Sequence, residues 1–239
     1  MFKRVFKQEL NNVLRDKMYR FFALYPIVIS VAAFFLMPYL ENEADPLATQ
    51  ILILVFILMN GFIYGAITGF TLLDDRDDHV LTSLKVSPIN VDMYVRVKLL
   101  FAYIFGIFST VLLLVVTNFL GNGDFLTFLM IALLSPMQGP MVALIVNTFA
   151  SNKVEGFVIM KLSGLILLIP IAAIFLTDWK EIFLFIVPGF WSARLILADL
   201  MPIDYFLGAT RVYFILGLLV SFLIFQLLFK VYQRKIIII

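Results

Sequence analysis

The stretch PLATQILILVFILMNGFIYGAITGFTLL, residues 46–73, runs for 28 positions without a charged side chain. It is followed at once by DDRDD, residues 74–78, where four of five side chains are aspartate. A helix needs about 20 apolar residues to cross the hydrocarbon core of a bilayer. The first part therefore predicts a membrane-spanning helix, and the second part a polar segment at the membrane surface.

The composition of the whole chain agrees with a membrane protein. Hydrophobic residues make up 63% of the 239 positions and charged residues 14%, against about 45–50% and 25% in soluble domains. Cysteine is absent, which excludes disulfides, thiolate metal ligands and a cysteine nucleophile. The formal charge of +2 is too small to indicate nucleic-acid binding.

Charge-free runs of similar length recur along the chain. We predict one all-α integral membrane domain over residues 1–239 with six transmembrane helices. The fifth run is long enough only if it begins near Gly156 with Lys161 reaching back to the interface. The predicted spans lie at about 21–40, 48–73, 96–119, 125–151, 156–177 and 209–230.

The basic residues predict the orientation of these spans. With six spans, 15 of the 18 Lys and Arg residues fall on the side of the two termini. Because cytoplasmic loops are enriched in Lys and Arg, we expect both termini and the acidic stretch to face the cytoplasm of a plasma-membrane protein.

Two segments outside the spans have their own patterns. Residues 1–20 alternate apolar and basic side chains at helical spacing, which is typical of an amphipathic helix lying at the interface. Before the last span, EIFLFIVPGFWSARLILADLMPID, residues 181–204, is apolar but broken by Pro188-Gly189. Its charge-free core, Ile182–Ala193, has only 12 residues and is too short to cross, so we expect a re-entrant or interfacial segment on the outer face.

The second span carries Gly61, Gly65 and Gly69 at intervals of four, which places them on one helix face. Such a face lets another backbone approach closely. It serves either packing within the subunit or a surface that moves or lines a pathway. We assign Asn60, Ser163 and Gly164 to the same packing or pathway set.

The acidic stretch allows two chemical interpretations. Clustered carboxylates at a membrane surface can hold Mg²⁺ through substrate phosphates, as in a membrane transferase. However, the other predicted cytoplasmic acids are scattered, and His79 has no partner for a zinc site. The chain also has no G-x-S-x-G element and no phosphate-binding loop, so we expect a non-enzyme.

Docking to a partner is the other interpretation. The aspartates would occupy the start of a short helix, where negative charge is favoured. Val80, Leu81 and Leu84 would then form a one-turn apolar stripe buried in the partner. Pro88 disfavours helix at Ser87 and would end the element.

The docking residues resemble the membrane subunits of type-2 ABC exporters, the ABC-2-type permeases. That family carries a pattern close to E-R-E-x-G-T-L-x-x-L-x-x-S-P after its second span. Here His79 stands where Gly is usual and Val80 where Thr is usual. The positions that match in register, with Asp for Glu, are Asp75, Arg76, Asp77, Leu81, Leu84, Ser87 and Pro88.

The resemblance implies a coupling helix over residues 75–88 that docks on a separate ABC ATPase. It further implies two ATPase copies that bind the ATP and Mg²⁺, and a second permease subunit, identical or different. Helices two and five would border the path of an exported hydrophobic or amphipathic drug, lipid or peptide-like molecule.

Within this family, SNKVEGFVIMKLSGLILLIP at 151–170 and VPGFW at 187–191 are most similar to drug or fluoroquinolone export permeases. A permease for bacteriocin or lantibiotic immunity is the alternative within the superfamily. A membrane scaffold without transport activity is the alternative outside it.

Overall fold

The computed structural model describes residues 6–7, 10–11, 24–43, 45–86, 88–117, 124–201 and 203–238. These residues fold into helices joined by short turns. In chain order the α-helices are α1 (Tyr25–Glu43), α2 (Pro46–Asp77), α3 (Val80–Lys85), α4 (Val91–Thr117), α5 (Phe125–Leu134), α6 (Gln138–Phe149), α7 (Lys153–Ile166), α8 (Phe190–Leu200) and α9 (Thr210–Ile238). Short 3₁₀ helices occupy Ser135–Met137, Ile169–Ile174 and Trp179–Leu184.

The prediction of an all-α membrane protein is confirmed. Among the described residues, five segments are long and apolar enough to cross a bilayer: Pro46–Asp77, Val91–Val116, Phe125–Phe149, Lys153–Ile174 and Thr210–Lys235. The third joins α5 to α6 through Ser135–Met137, and the fourth joins α7 to Ile169–Ile174.

The predicted first span and N-terminal helix fall partly or largely outside the described residues. In the described part of the first span, α1 contains a shorter apolar helix, Tyr25–Tyr39. Of the predicted interfacial helix, residues 6–7 and 10–11 are described and helical. The ring of Phe6 stacks on that of Phe101 in α4, with centroids 4.7 Å apart.

Local sequence signals determine where α2 and α7 begin. The Asp45 carboxylate accepts a hydrogen bond of 2.8 Å from the Leu47 amide, and Pro46 occupies the first helical position, where its missing N–H costs nothing. At α7, the Asn152 side chain accepts from the Glu155 amide at 3.0 Å. The Glu155 carboxylate in turn accepts from the Ser151 amide at 2.7 Å, a reciprocal cap.

Helix α2 lies at the centre of the bundle and packs against α1, α4, α6 and α7. The two largest buried apolar clusters lie on either side of its middle. The larger surrounds α8 and includes Phe190, Trp191 and Tyr213. The second joins α3, α4 and α9 through Leu81, Val95 and Phe229. The bundle is therefore packed both at the end that carries α3 and at the opposite end.

The apolar segment before the last span folds as a hairpin inside the larger cluster. The 3₁₀ helix Trp179–Leu184 leads to a turn at Gly189, whose φ of 89° favours glycine. Helix α8 follows with 11 residues, about 16 Å at 1.5 Å per residue. This is roughly half of the 30 Å hydrocarbon core, so α8 is too short to cross the membrane.

Candidate functional site

The acidic stretch forms the last turn of α2. Helix α2 continues through Asp77, and α3 begins only at Val80. The expectation that the aspartates open the short helix is therefore wrong. Negative charge is disfavoured at a helix C-terminus, so these carboxylates need other partners, and the structure provides them for Asp74 and Asp75.

Asp75 faces inward and is held by two side chains of α4. Its Oδ2 lies 2.5 Å from the ammonium of Lys98 and accepts a 3.0 Å hydrogen bond from the hydroxyl of Tyr94. The Lys98 side chain is only 5% exposed. A nearly buried ammonium with a carboxylate and a hydroxyl is a strongly charge-assisted contact, which ties the end of α2 to α4.

Asp74 points to the opposite side, toward α7. Its Oδ1 lies 2.7 Å from Nζ of Lys153, the first residue of that helix. Lys153 remains 61% exposed, so this ion pair is worth little for stability. Because a lysine lies against each of Asp74 and Asp75, the arrangement favours an ion-pair network over a Mg²⁺ site.

Arg76 binds the C-terminal end of α6. Its Nη2 donates a 3.0 Å hydrogen bond to the carbonyl of Ala150. Lys235 of α9 donates to the carbonyls of Asn147, Thr148 and Ala150 at 3.3, 3.0 and 2.6 Å. Carbonyls at a helix end lack partners within the helix and favour cations. Residues 74–76 thus connect α2 with α4, α6 and α7, and α9 joins at the same carbonyl.

The short helix α3 is fixed to this network by its apolar side. Leu81 is 5% exposed and belongs to the cluster of Tyr94 and Val95, and Leu84 packs against the same cluster. The expectation that Leu81 is available to a partner is therefore wrong, because α4 already covers it.

The opposite side of α3 is open. Thr82, Ser83, Lys85, Val86 and Pro88 are exposed, and Val86 is 90% exposed. Asp77 is exposed as well. Ser87, the remaining residue of the predicted docking set, lies outside the described residues.

His79 connects α2 to α3 in an unusual backbone conformation. Its φ of 57° lies in the left-handed region, which costs an L-residue roughly 1–2 kcal/mol. Among the described residues it is the one non-glycine residue with positive φ. The Gly at this position in the pattern of the ABC-2 permeases would meet this geometry without strain.

The three glycines of α2 lie against α6 within the same chain. A Cβ added at Gly65 would stand 2.3 Å from the carbonyl oxygen of Gly139, and one at Gly61 2.7 Å from Cγ of Gln138. At Gly69 the nearest atom is Cβ of Val146, at 3.2 Å. The stripe thus forms a contact in which α2 and α6 approach backbone to backbone.

Side-chain amides reinforce the contacts of α2. Nε2 of Gln138 donates to the carbonyl of Leu58 at 2.7 Å, and Nδ2 of Asn147 donates to that of Gly69 at 2.8 Å. Asn60 joins α2 to α4, since its Oδ1 accepts a 2.6 Å hydrogen bond from Ser109. These polar groups at membrane depth act as interhelical links.

Ser163 and Gly164 lie apart from the acidic stretch, on α7. The Ser163 hydroxyl donates to the carbonyl of Ile159 in its own helix at 2.9 Å, and the side chain is 5% exposed. Gly164 faces the ring of Phe62, with 3.6 Å from a Cβ position to Cζ. Both belong to the contact of α7 with α2 and α6.

An open cavity of about 550 Å³ lies where α1, α2 and α7 meet. Aromatic side chains supply much of its lining, from Tyr25, Phe62, Phe70 and Phe157. Asp74 and Lys153, the ion pair at the end of α2, also line it. The cavity therefore combines an apolar, aromatic wall with one charge of each sign.

A buried ion pair at the opposite end of the bundle was not predicted from the sequence. Nη2 of Arg194 in α8 lies 2.6 Å from Oε2 of Glu181, and both side chains are 0% exposed. Tyr213 of α9 donates to Glu181 as well, and Arg194 donates to the carbonyl of Leu176 at 2.5 Å. The pair closes the hairpin and fastens it to α9.

A signal for this pair is visible in the sequence. Glu181 and Arg194 flank the charge-free segment Ile182–Ala193, and the break at Pro188-Gly189 lies near its middle. If the segment folds back on itself, its two charged ends meet. The sequence pattern predicts only that both residues belong to the segment on the outer face.

Tyr205 completes the surroundings of Arg194. Its ring centroid lies 4.5 Å from the guanidinium carbon, a cation–π contact. Burial raises the pKa of the Tyr205 hydroxyl. The hydroxyl therefore stays protonated, and it donates to the carbonyls of Leu197 and Met201 at 3.0 and 2.7 Å.

Comparison with known proteins gives one family over most of the chain. The family described as fluoroquinolones export permease protein Rv2686c-like matches residues 9–229. The fluoroquinolones export permease proteins Rv2686c and MT2760 of Mycobacterium tuberculosis, strains H37Rv and CDC 1551, are each 20% identical over 146 residues. Each match covers 60% of this chain and 58% of the relative's length.

Proposed function

This chain belongs to the family of Rv2686c-like fluoroquinolones export permeases, and we propose that it is the membrane-spanning subunit of an ABC exporter. In this proposal a separate ATPase hydrolyses ATP, and the permease converts the resulting motion into movement of substrate. Two ATPase copies and a second permease subunit, identical or different, complete the transporter, which lies in the plasma membrane.

The observation that carries the proposal is the way α3 is mounted on the bundle. One side is buried through Leu81, while the other presents Thr82, Ser83 and Val86. Directly before it, the ion pairs and hydrogen bonds of residues 74–76 join α2 to α4, α6 and α7. A partner bound to α3 therefore acts on several membrane helices at once, as a coupling helix requires.

The substrate path in this proposal runs along α2 and α7. The aromatic cavity beside these helices, with Asp74 and Lys153 in its lining, suits an apolar or amphipathic molecule with a small number of charges. The name of the matched relatives, fluoroquinolones export permease protein, supports a drug-like substrate.

Retention of the ATPase tests this function. The chain is co-expressed with the ABC ATPase of its own operon, and the complex is purified through a tag on the permease. Val86→Asp places a charge on the 90% exposed apolar side chain of the α3 face. We expect about tenfold less ATPase to be retained, with the permease still folded.

Ile203→Asp is the matched control, because Ile203 is an exposed apolar residue, 48% exposed, in the outer segment of the chain. It should retain the ATPase as the wild type does. Full retention and full transport by Val86→Asp would overturn the assignment of α3 as the docking element.

The orientation can be tested independently, because the chain contains no cysteine. We propose that both termini and α3 face the cytoplasm. A single cysteine in place of the exposed Asp77 should then react with a membrane-impermeant reagent only after the cells are opened. Labelling of that cysteine in intact cells would contradict this orientation.

A further inference from the structure

A second groove lies on the surface of the bundle between α4 and α9, lined by none of the residues of the cavity beside α7. Its volume is about 370 Å³. The walls are Leu99, Leu100 and Tyr103 of α4 and Phe222 and Phe225 of α9. Apart from one arginine at its end, the side chains that line it are apolar or aromatic.

The helix opposite is broken where it lines the groove. Met137 and Pro140 contribute to its lining, at the point where α5 passes into α6 through the 3₁₀ turn Ser135–Met137. The Tyr103 hydroxyl donates to the carbonyl of Leu133 at 2.9 Å, so its ring is held in place as a wall. The groove is therefore a fixed feature of the packing.

We expect the groove to be surrounded by hydrocarbon. Both α4 and α9 are long and apolar enough to cross a membrane, and Leu100 and Phe222 are 37% and 53% exposed. An apolar groove that opens between two such helices faces lipid tails. We therefore expect a membrane lipid to be the molecule that reaches it from the side.

Arg96 gives this groove its charge. It lines the groove near the start of α4, and its guanidinium carbon lies 4.1 Å from the centroid of the Phe229 ring. Asp92, one turn earlier, accepts a 2.6 Å hydrogen bond from Gln233. No carboxylate lies within ion-pair distance of Arg96 in the described part of the chain.

We propose that the groove binds a phospholipid with an anionic headgroup. The phosphate lies on the Arg96 guanidinium, whose planar fork suits phosphate oxygens, and an acyl chain follows the walls toward Met137. Arg96 and Tyr103 are seven positions apart, about 10 Å along the helix. The guanidinium therefore lies at one end of the groove, its mouth, and the apolar wall extends inward from there. Basic pockets between transmembrane helices bind anionic headgroups in this way.

Other positively charged side chains lie near the end of the groove that carries Arg96. Lys230 and Arg234 are exposed on α9, at the end that the Asp92–Gln233 hydrogen bond places beside the start of α4. Neither lines the groove. They attract anionic lipid to this end of the bundle, whereas Arg96 selects the headgroup that enters.

Lipid binding by the purified chain tests the proposal. Native mass spectrometry measures the affinity for short-chain phosphatidylglycerol, which is anionic, and for short-chain phosphatidylcholine, which is zwitterionic. The wild type should prefer phosphatidylglycerol. Arg96→Gln should lose about tenfold in affinity for it, as removal of a charge-assisted hydrogen bond predicts, and less for phosphatidylcholine, whose choline ammonium offsets the charge of its phosphate.

Two further variants separate the groove from general surface charge. Lys230→Gln removes a neighbouring exposed cation and should keep the preference. Leu100→Trp fills the groove and should weaken the binding of both lipids. Because Arg96, Lys230 and Leu100 are exposed, these variants should fold, which thermal unfolding without lipid verifies.

Equal affinity of the wild type for the two lipids would overturn the proposal, as would equal losses in Arg96→Gln and Lys230→Gln. A disulfide between two copies through a single cysteine at position 100 would also overturn it, because the groove would then be an interface between subunits.

Discussion

Arg76 of α2 and Lys235 of α9 donate to the same acceptor, the carbonyl of Ala150, at 3.0 and 2.6 Å. Two cations from helices far apart in the chain therefore share the end of α6. Like charges at one carbonyl repel each other, so the arrangement depends on the unsatisfied carbonyls of the helix end.

Removing these two cations should be non-additive. Arg76→Ala and Lys235→Ala should each lower the free energy of unfolding by about 1–2 kcal/mol, because the remaining cation still satisfies the carbonyl. The double variant should lose more than the sum, by about 0.5 kcal/mol or more. Chemical unfolding in detergent measures all three, with Arg234→Ala as an exposed control. Strict additivity would show that the two contacts are independent.

Gly65→Ala should destabilise the helix bundle. The added Cβ would meet the Gly139 carbonyl oxygen at 2.3 Å, and overpacking of this kind costs about 1–3 kcal/mol or more. Gly164→Ala is the matched control, since its nearest neighbour is 3.6 Å away. Thermal unfolding and the yield of monodisperse protein give the comparison. Wild-type stability of Gly65→Ala would mean that α2 and α6 are farther apart than described.

His79→Gly should stabilise the protein. Glycine adopts the φ of 57° at His79 without the cost of roughly 1–2 kcal/mol that an L-residue meets there, although it adds entropy to the unfolded chain. The expected net gain is about 0.5–1 kcal/mol. Thr82→Gly within α3 should instead lose about 0.5–1 kcal/mol. The midpoints of thermal unfolding should therefore shift in opposite directions, and a loss in both variants would disprove the strain at His79.

Asp75 and Asp77 should differ in spite of their proximity. Asp75→Asn removes the carboxylate that faces the nearly buried Lys98 and should cost about 2–3 kcal/mol. Asp77 is exposed in the last turn of α2, where a negative charge opposes the helix dipole. Asp77→Asn should therefore change stability by no more than about 0.5 kcal/mol. Equal effects on the free energy of unfolding would contradict the assigned contacts.

The buried pair of the outer hairpin should tolerate loss of both charges better than loss of one. Glu181→Gln or Arg194→Met alone leaves an uncompensated charge or a polar group at 0% exposure, at a cost of about 3–5 kcal/mol. The double variant should cost less than the sum. Lys180→Gln, at an exposed neighbour, should be neutral. If the loss of unfolding free energy in the double variant equals the sum of the two single losses, the two charges do not stabilise each other.

Within the described residues, five of the six predicted spans correspond to segments long and apolar enough to cross a membrane, because a single property, charge-free length, decides them. The run at 46–73 has no charge and must be a span, and the structure makes it one continuous helix. The spacing of Gly61, Gly65 and Gly69 likewise predicts a close backbone approach from helical geometry alone. It does not reveal that the neighbour is α6 of the same chain.

The acidic stretch was harder to interpret because its partners are distant in the sequence. Local rules favour aspartates at a helix start, yet Lys98 and the carbonyl of Ala150 lie 23 and 74 positions from their partners in the stretch. These tertiary contacts allow α2 to continue through four residues that would otherwise end it. The same contacts place α4 against Leu81. The periodicity of a single helical turn cannot show this contact.

The continuity of α2 makes it a lever. Its 32 residues extend about 48 Å, well beyond the roughly 30 Å of a hydrocarbon core. Its one proline, Pro46, stands at the first position, so no proline kink interrupts it. The contact of Gly65 with Gly139 lies about 18 Å from the Asp77 end and about 28 Å from the Pro46 end. If α2 pivots at that contact, a displacement of its Asp77 end moves its Pro46 end in the opposite direction and roughly one and a half times as far.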